Sequence, residues 1–187
     1  MPSAVVSDAQ LIARVLVQDD RHAFGELVRR HQSTVRACLR KLTAGDHGLA
    51  DDLAQETFLL AYRNLKTFRQ EAKFSTWLYR IAYNAFLAEA RKKKESLLAE
   101  DEDSELPAHD AGGISVSRQA ALSIDLERAM AVLSDAERAA IVQCYHNDLS
   151  HEEAAYVLGC PVGTVKTHIL RAKQKLKARL GAWAPEA

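Results

Sequence analysis

Helix breakers are scarce in this chain, which has four prolines and eight glycines in 187 residues. That scarcity excludes collagenous, proline-rich and low-complexity architectures and leaves long stretches free to be helical. Cysteine is equally sparse. Cys38, Cys144 and Cys160 are odd in number, lack a CxxC spacing and sit among apolar helical neighbours. They read as buried reduced thiols rather than a disulfide framework or a metal site. No apolar stretch approaches the ~18 residues of a membrane span. The N-terminus lacks the basic-then-apolar pattern of a secretory leader. A cytoplasmic protein without direct membrane insertion is therefore expected.

Catalytic and metal-binding signals are also missing. His151-Glu152-Glu153 begins like a zinc-protease motif, but position 155 is Ala where the second His belongs. His146 and His151 are five apart across a turn signal. Asp52 and Glu56 have no His or Cys nearby at ligand spacing. No metal, no cofactor and no enzymatic activity are expected.

What the chain does contain is apolar content of 48% arranged at helical spacing, and charge that cancels only in the sum. Residues 1–94 carry 16 Lys/Arg against 10 Asp/Glu, residues 95–117 carry seven acids and no base, and residues 118–187 carry nine bases against eight acids. The formal neutrality of the whole hides basic surfaces on either side of an acidic stretch. With Pro107 and Gly112–Gly113 inside it, that stretch reads as a flexible linker. The expected architecture is all-α, with one helical domain over 1–94, a linker over 95–117 and a second helical domain over 118–187.

The second domain holds the sharper motif, LSHEEAAYVLGCPVGTVKTHILRAK, from Leu149 to Lys173. Ser150 and Glu153 form a capping box. Ala155, Gly159 and Val165 fall at helix-turn-helix spacing: a small residue for close approach, a glycine for a left-handed turn and an apolar plug. Pro161 suits the first turn of the next helix. From Pro161 to Leu180 there are six Lys or Arg and no acid. An apolar stripe of Val165, Ile169, Ala172 and Leu176 leaves Gly163, Lys166, Thr167, Leu170, Arg171 and Gln174 on the opposite face. Such a face suits the DNA major groove; a helical hairpin with a solvated basic face is the plainer alternative. Upstream, helix formation is expected from Arg118, with Leu122, Leu126, Met130 and Leu133 inward. A capping box at Ser134 and Glu137 opens a further helix to about Tyr145, burying Ala140, Ile141 and Cys144.

The first domain reads as a helix with Leu11, Ile12, Val15 and Leu16 inward, a break at Asp19–Asp20, and a helix with Phe24, Leu27, Val28, Val35, Leu39 and Leu42 at three- and four-residue steps. A helix over Leu49–Leu65 follows, with Leu53, Ala54, Phe58, Ala61 and Leu65 as its core stripe. Asp52, Gln55, Glu56, Leu59 and Arg63 share another face, which on spacing alone is simply solvated. Eight of the chain's 12 aromatics lie between Phe58 and Phe86, interleaved with Arg63, Lys66, Arg69, Lys73 and Arg80. Rings mixed with cations suit single-stranded DNA, and rings alone suit a core; periodicity leaves both open.

Three ordered blocks, Asp52-Leu-Ala-Gln-Glu-Thr-Phe58, Phe74-Ser-Thr-Trp-Leu-Tyr-Arg-Ile-Ala-Tyr-Asn84 and Gly159-Cys-Pro-Val-Gly-Thr-Val-Lys166 leading into Arg171-Ala-Lys173, resemble the extracytoplasmic-function group of alternative sigma factors of bacterial RNA polymerase. The resemblance spans nearly the whole chain apart from the linker and the ends. It implies a region 2 domain that docks on the clamp of the polymerase largest subunit through Asp52, Gln55, Glu56 and Leu59. It implies −10 recognition and melting by Phe74, Trp77, Tyr79, Arg80, Tyr83 and Asn84, and −35 recognition by a region 4 domain through Thr164, Lys166, Thr167, Leu170 and Arg171. The partners implied are core polymerase, promoter DNA and an anti-sigma factor. Gln70 stands where the family often has glycine, Lys166 and His168 where it often has arginine, and the segment after Asn84 is unusually apolar. A stand-alone helix-turn-helix regulator is the alternative, and it has no use for the first two blocks.

Overall fold

The computed structural model describes residues 6–99 and 129–181, and every regular element among them is helical. Side-chain caps set the boundaries. Ser7 and Gln10 form a reciprocal box that opens α1, Asp8–Gln18. It ends at Asp19, which adopts a left-handed conformation (φ 49°). Asp20 then starts α2, Arg21–Leu42, by accepting from the Ala23 N–H at 3.0 Å. That bond, followed by the ion pair with Arg14, holds the Asp20 carboxyl below the ordinary carboxylate range. Asp46 caps α3, His47–Asn64, by accepting from the Leu49 N–H. A 3-10 turn, Leu65–Thr67, and a short loop lead into α4, Phe74–Ala99.

The C-terminal unit is built from shorter pieces. The Ser134–Glu137 capping box opens α5, Asp135–Ile141. A π-helical turn, Val142–His146, continues it. The Ser150–Glu153 box opens α6, His151–Leu158, and α7 runs Val162–Gly181.

α2 lies at the centre and packs on α1, α3 and α4. Its inner stripe of Leu27, Val35, Leu39 and Leu42 is fully buried, together with Leu53, Ala61, Leu65 and Leu78 from α3, the 3-10 turn and α4. The apolar cluster does not stop at the first domain. Met130, Leu133, Ala139, Val142, Val157 and Ala172 belong to the same cluster. α6 packs on α4, and α5 with the π turn packs on α2. A smaller cluster of Ala140, Ala154, Ala155, Val165 and Ile169 lies inside the helix-turn-helix itself.

Four expectations are corrected. Leu16 is 39% exposed, because Leu11, Ile12 and Val15 already fill the stripe that meets α2. Phe58 is only half-buried, because it borders an open groove between α2 and α3. α4 continues to Ala99, past the expected boundary at residue 94. Its Glu95-Ser-Leu-Leu-Ala run is made mostly of good helix formers, and Glu95 follows Arg91 at the four-residue step of a helical ion pair. The helix after Ser134 changes to a π turn at Val142, which buries Gln143 completely and leaves Ile141 and Cys144 half-buried. The expected helix from Arg118 through Leu126 and the linker core from 100 to 117 lie outside the described residues.

Three stability outcomes follow. Leu39→Ala removes a fully buried branch from the centre of the cluster and is expected to cost about 2–5 kcal/mol in chemical denaturation. Gln70 holds φ at 59°, a region costing a side chain roughly 1–2 kcal/mol. Gln70→Gly should therefore raise the thermal midpoint, in spite of glycine's greater freedom when unfolded. Glu137 is buried and accepts from Lys175 Nζ at 2.7 Å and from the Ser134 N–H at 2.9 Å. The Lys175 ammonium is the main cause that holds its carboxyl below the ordinary value of 4.5. A depressed folded pKa contributes stability that is present above 4.5 and lost as pH falls through the folded value. Between pH 4.5 and pH 3 the native midpoint should fall more steeply than that of Glu137→Gln, as measured by thermal melts across pH.

Candidate docking groove and nucleic-acid interface

Asp52, Gln55, Glu56 and Leu59 are all exposed on α3. Helical geometry puts them on one face, and Leu59, at 60% exposure, is the apolar residue that the fold leaves uncovered there. Beside this face a groove of about 580 Å³ runs between α2 and α3. Phe24, Val28, Phe58, Leu59 and Tyr62 line it, with Arg21 and Arg36 among its charged residues. Phe24 and Tyr62 meet edge to face with centroids 4.9 Å apart, and the Tyr62 hydroxyl donates to Asp19 at 2.8 Å, fixing the ring. Gln55 and Leu59 line the groove, whereas Asp52 and Glu56 do not.

The half-buried state of Phe24, Val28 and Phe58 now has a reason. They face a channel that no element among the described residues fills, so the apolar stripes of α2 and α3 are wider than this fold needs. The spacing puts Phe24, Val28 and Phe58 in the core and Tyr62 in the aromatic block, and it gives Arg21 no role. The available signal was the excess width of the α2 stripe.

On the C-terminal unit the turn behaves as the spacing predicts. Gly159 is left-handed (φ 65°, ψ 33°), and the Ala155 carbonyl accepts from the Gly159 N–H and, at 3.2 Å, from the Cys160 N–H. Pro161 stands just before α7 and its carbonyl accepts from the Thr164 and Val165 N–H groups at 2.9 and 3.2 Å. Val165 and Ala172 are fully buried and Ile169 nearly so, which turns Lys166, Thr167, Leu170 and Arg171 outward. Thr164 is half-buried at the edge of this face. Leu170 is 60% exposed, a methyl-rich group in the middle of a polar surface. Among the described residues two of the six bases have partners: Lys173 lies 4.9 Å from the Tyr145 ring centroid and Lys175 pairs with Glu137. His168 turns partly inward, with a buried Nδ1 that has no hydrogen-bond partner among the described residues.

α4 separates the residues of the aromatic block. Phe74, Trp77, Tyr79 and Tyr83 are 5–7% exposed. Phe68, Phe74 and Trp77 form a mutual cluster with centroids 5.3–5.7 Å apart. These rings pack on one another in this arrangement and offer no open faces for stacking bases. Burial raises the hydroxyl pKa of both Tyr79 and Tyr83. Arg80 and Asn84, one turn apart, are exposed, as are the interleaved cations Arg63, Lys66, Arg69 and Lys73. The loop before α4 places Gln70 at positive φ, which accounts physically for the glycine often found there in the family that the sequence resembles.

A basic helix-turn-helix face on one unit and an open apolar groove on the other define a transcription protein that reads DNA while held by a protein partner. The comparisons make that class specific. Sigma-70 region 2 matches residues 27–96 and Sigma-70 region 4 matches residues 123–176. The ECF RNA polymerase sigma-E factor of Haemophilus influenzae is 33% identical over 184 residues, covering 94% of this chain and 96% of that protein. The sigma factor RpoE of Bartonella quintana, solved in complex with the anti-sigma factor NepR, superposes with a TM-score of 0.68 at 28% identity, covering 84% of this chain and 96% of that one. CnrH, solved with the cytosolic domain of CnrY, gives 0.66 at 28% identity over 94% and 97%. The chain belongs to the extracytoplasmic-function family of RNA polymerase sigma factors.

Because Leu59 is largely exposed, changing it alters the groove without disturbing the core. Leu59→Asp should leave the thermal midpoint within about 0.5 kcal/mol of native. Its affinity for core polymerase, measured by fluorescence anisotropy, should fall at least tenfold. An unchanged affinity would move the docking face off α3.

Proposed function

We propose that this alternative sigma factor docks its α2–α3 groove on the clamp helices of core polymerase and presents two DNA-reading faces on either side of its acidic linker. The observation that carries the reading is one chain combining an unfilled apolar groove with an outward basic recognition face on α7. A groove lined by Phe24, Val28, Phe58, Leu59 and Tyr62 suits the apolar stripe of a partner helix. Asp52 and Glu56 add negative charge beside it, favouring a partner surface of positive charge.

Region 4 would read the −35 element with Lys166, Thr167, Leu170 and Arg171, and Thr164 would support them at the edge. Arg171 is the residue able to grip guanine with two hydrogen bonds, while Lys166 acts as a point charge and Leu170 suits a thymine methyl. Region 2 would hold the −10 element through Arg80 and Asn84, with Phe74, Trp77, Tyr79 and Tyr83 giving α4 its rigid seat. Neither unit needs high affinity alone, since docking on polymerase makes the second contact effectively intramolecular. The protein would act in the cytoplasm. An anti-sigma factor would silence it by covering the same groove; complexes with such partners are known for the Bartonella relative.

The test is transcription in vitro with core polymerase and promoters selected from mapped start sites. Arg171→Ala should lower initiation by roughly 5- to 100-fold, the range for losing about 1–3 kcal/mol of base readout, while core binding is unchanged. Equal loss of both would indicate a folding defect and remove the support for this assignment.

A further inference from the structure

Two lysines of α7 are held by partners of opposite kind. Lys175 donates to the buried Glu137 carboxylate at 2.7 Å, which cancels its charge and ties α7 to α5. Lys173 instead lies 4.9 Å from the centroid of the Tyr145 ring. A ring face attracts an ammonium without neutralising it, so Lys173 is held in place and keeps its full charge for an incoming anion. Nothing on its own helix competes for that charge, since no acid stands between Pro161 and Leu180. Tyr145 is itself 58% exposed, a large ring that the fold leaves at the surface. A carboxylate fastens one lysine to the fold; a ring presents the other to the outside.

The backbone delivers Tyr145 to that place. α5 gives way to the π turn at Val142, where the Asn147 N–H donates to the Val142 carbonyl at 3.0 Å, a five-residue step. The wider turn keeps Val142 and Gln143 buried and puts Tyr145 outside. Ala140, just before it, shares a cluster with Val165 and Ile169, and α5 packs along α7. Helical geometry then decides which way Lys173 points. It stands two turns beyond Lys166 on the same flank of α7, about 10 Å further along the axis. A helix in the major groove is bordered by the two sugar-phosphate backbones. The centre of its outward face, Thr167, Leu170 and Arg171, is placed for base edges, whereas a flank is placed for phosphates. Tyr145 and Lys173 lie together on such a flank.

We propose that Tyr145 and Lys173 form a phosphate-holding pair at the edge of the −35 interface: the Tyr145 ring positions the Lys173 ammonium, and the ammonium takes a phosphodiester of the duplex. Lys173 thereby supplies affinity without sequence preference. Tyr145 is a positioning residue that acts through it, from a π turn outside the helix-turn-helix. The proposal rests on the reading of α7 as the −35 face, and its test separates the two.

Holoenzyme assembled from core polymerase and the full chain is titrated against a fluorescent promoter duplex taken from mapped start sites, over a range of potassium chloride concentrations. A second duplex has its −35 element replaced. Lys173→Ala should weaken binding roughly three- to tenfold on both duplexes and reduce the slope of log K against log salt by about 0.9, the value for one phosphate contact. Tyr145→Leu should weaken it roughly two- to fivefold, the scale of a cation–π contact, and should add nothing in the Lys173→Ala background. Tyr145→Phe keeps the ring and should stay within about twofold of native. Both residues are exposed, so thermal midpoints should not move. Should Tyr145→Leu lower the midpoint, the slope and the two-duplex comparison for Lys173→Ala decide. A loss confined to the duplex with its own −35 element would make Lys173 a base reader. An unchanged slope would leave it without a phosphate, and additive losses would uncouple it from Tyr145. Each of these overturns the proposal. Failure of the −35 reading would look different: Arg171→Ala would weaken both duplexes equally while the slope change from Lys173→Ala stood.

Discussion

The burial of α2 is the interaction on which the rest of the molecule depends. Leu27, Val35, Leu39 and Leu42 are withdrawn from water along 22 residues, and α1, α3 and α4 are placed by what they cover on that stripe. Packing to crystal-like density makes such a stripe intolerant of displacement, so the surfaces at its two ends are held in fixed relation. Toward the N-terminus, Phe24 and Val28 extend past the covered portion and form one wall of the open groove. Toward the C-terminus, Cys38 and the Leu42 carbonyl meet the second unit. One helix thus supplies the core, a wall of the open groove and the seam.

The function of this fold lies in what it leaves uncovered. An apolar channel of this size is a liability in a protein that works alone, and it becomes useful when a partner helix fills it. The helix-turn-helix follows the same logic with charge. Val165 and Ile169 spend the apolar side of α7 on a small cluster, which turns its basic side outward with no acid on the helix to neutralise it. Under the proposed docking, polymerase would supply the geometry that makes the two surfaces act together.

Much of the site was legible in local sequence. The capping boxes at Ser134 and Ser150, the break at Asp19–Asp20 and the glycine turn at Gly159 depend on groups within a few residues of one another. All appear where spacing put them. The α3 face of Asp52, Gln55, Glu56 and Leu59 and the α7 face of Lys166, Thr167, Leu170 and Arg171 follow from the 3.6-residue period, and both are exposed. The aromatic block was not legible in this way. Periodicity says that Trp77 and Tyr83 share a helix with Arg80 and Asn84, but not which of them another element will cover.

The chain by itself therefore determined its helices, their caps, the recognition turn and the sign of charge on each face, since each is decided by neighbours within one or two turns. Only the tertiary structure decided that Phe24, Val28 and Phe58 border an open groove, that Phe68, Phe74 and Trp77 pack on one another, and that Gln143 and Asn147 meet Cys38 more than a hundred residues away. Those outcomes depend on which stripes run out of partners when helices pack. No local rule contains that information, because the free energy of burial is set by the surface that covers a residue and not by the residue itself.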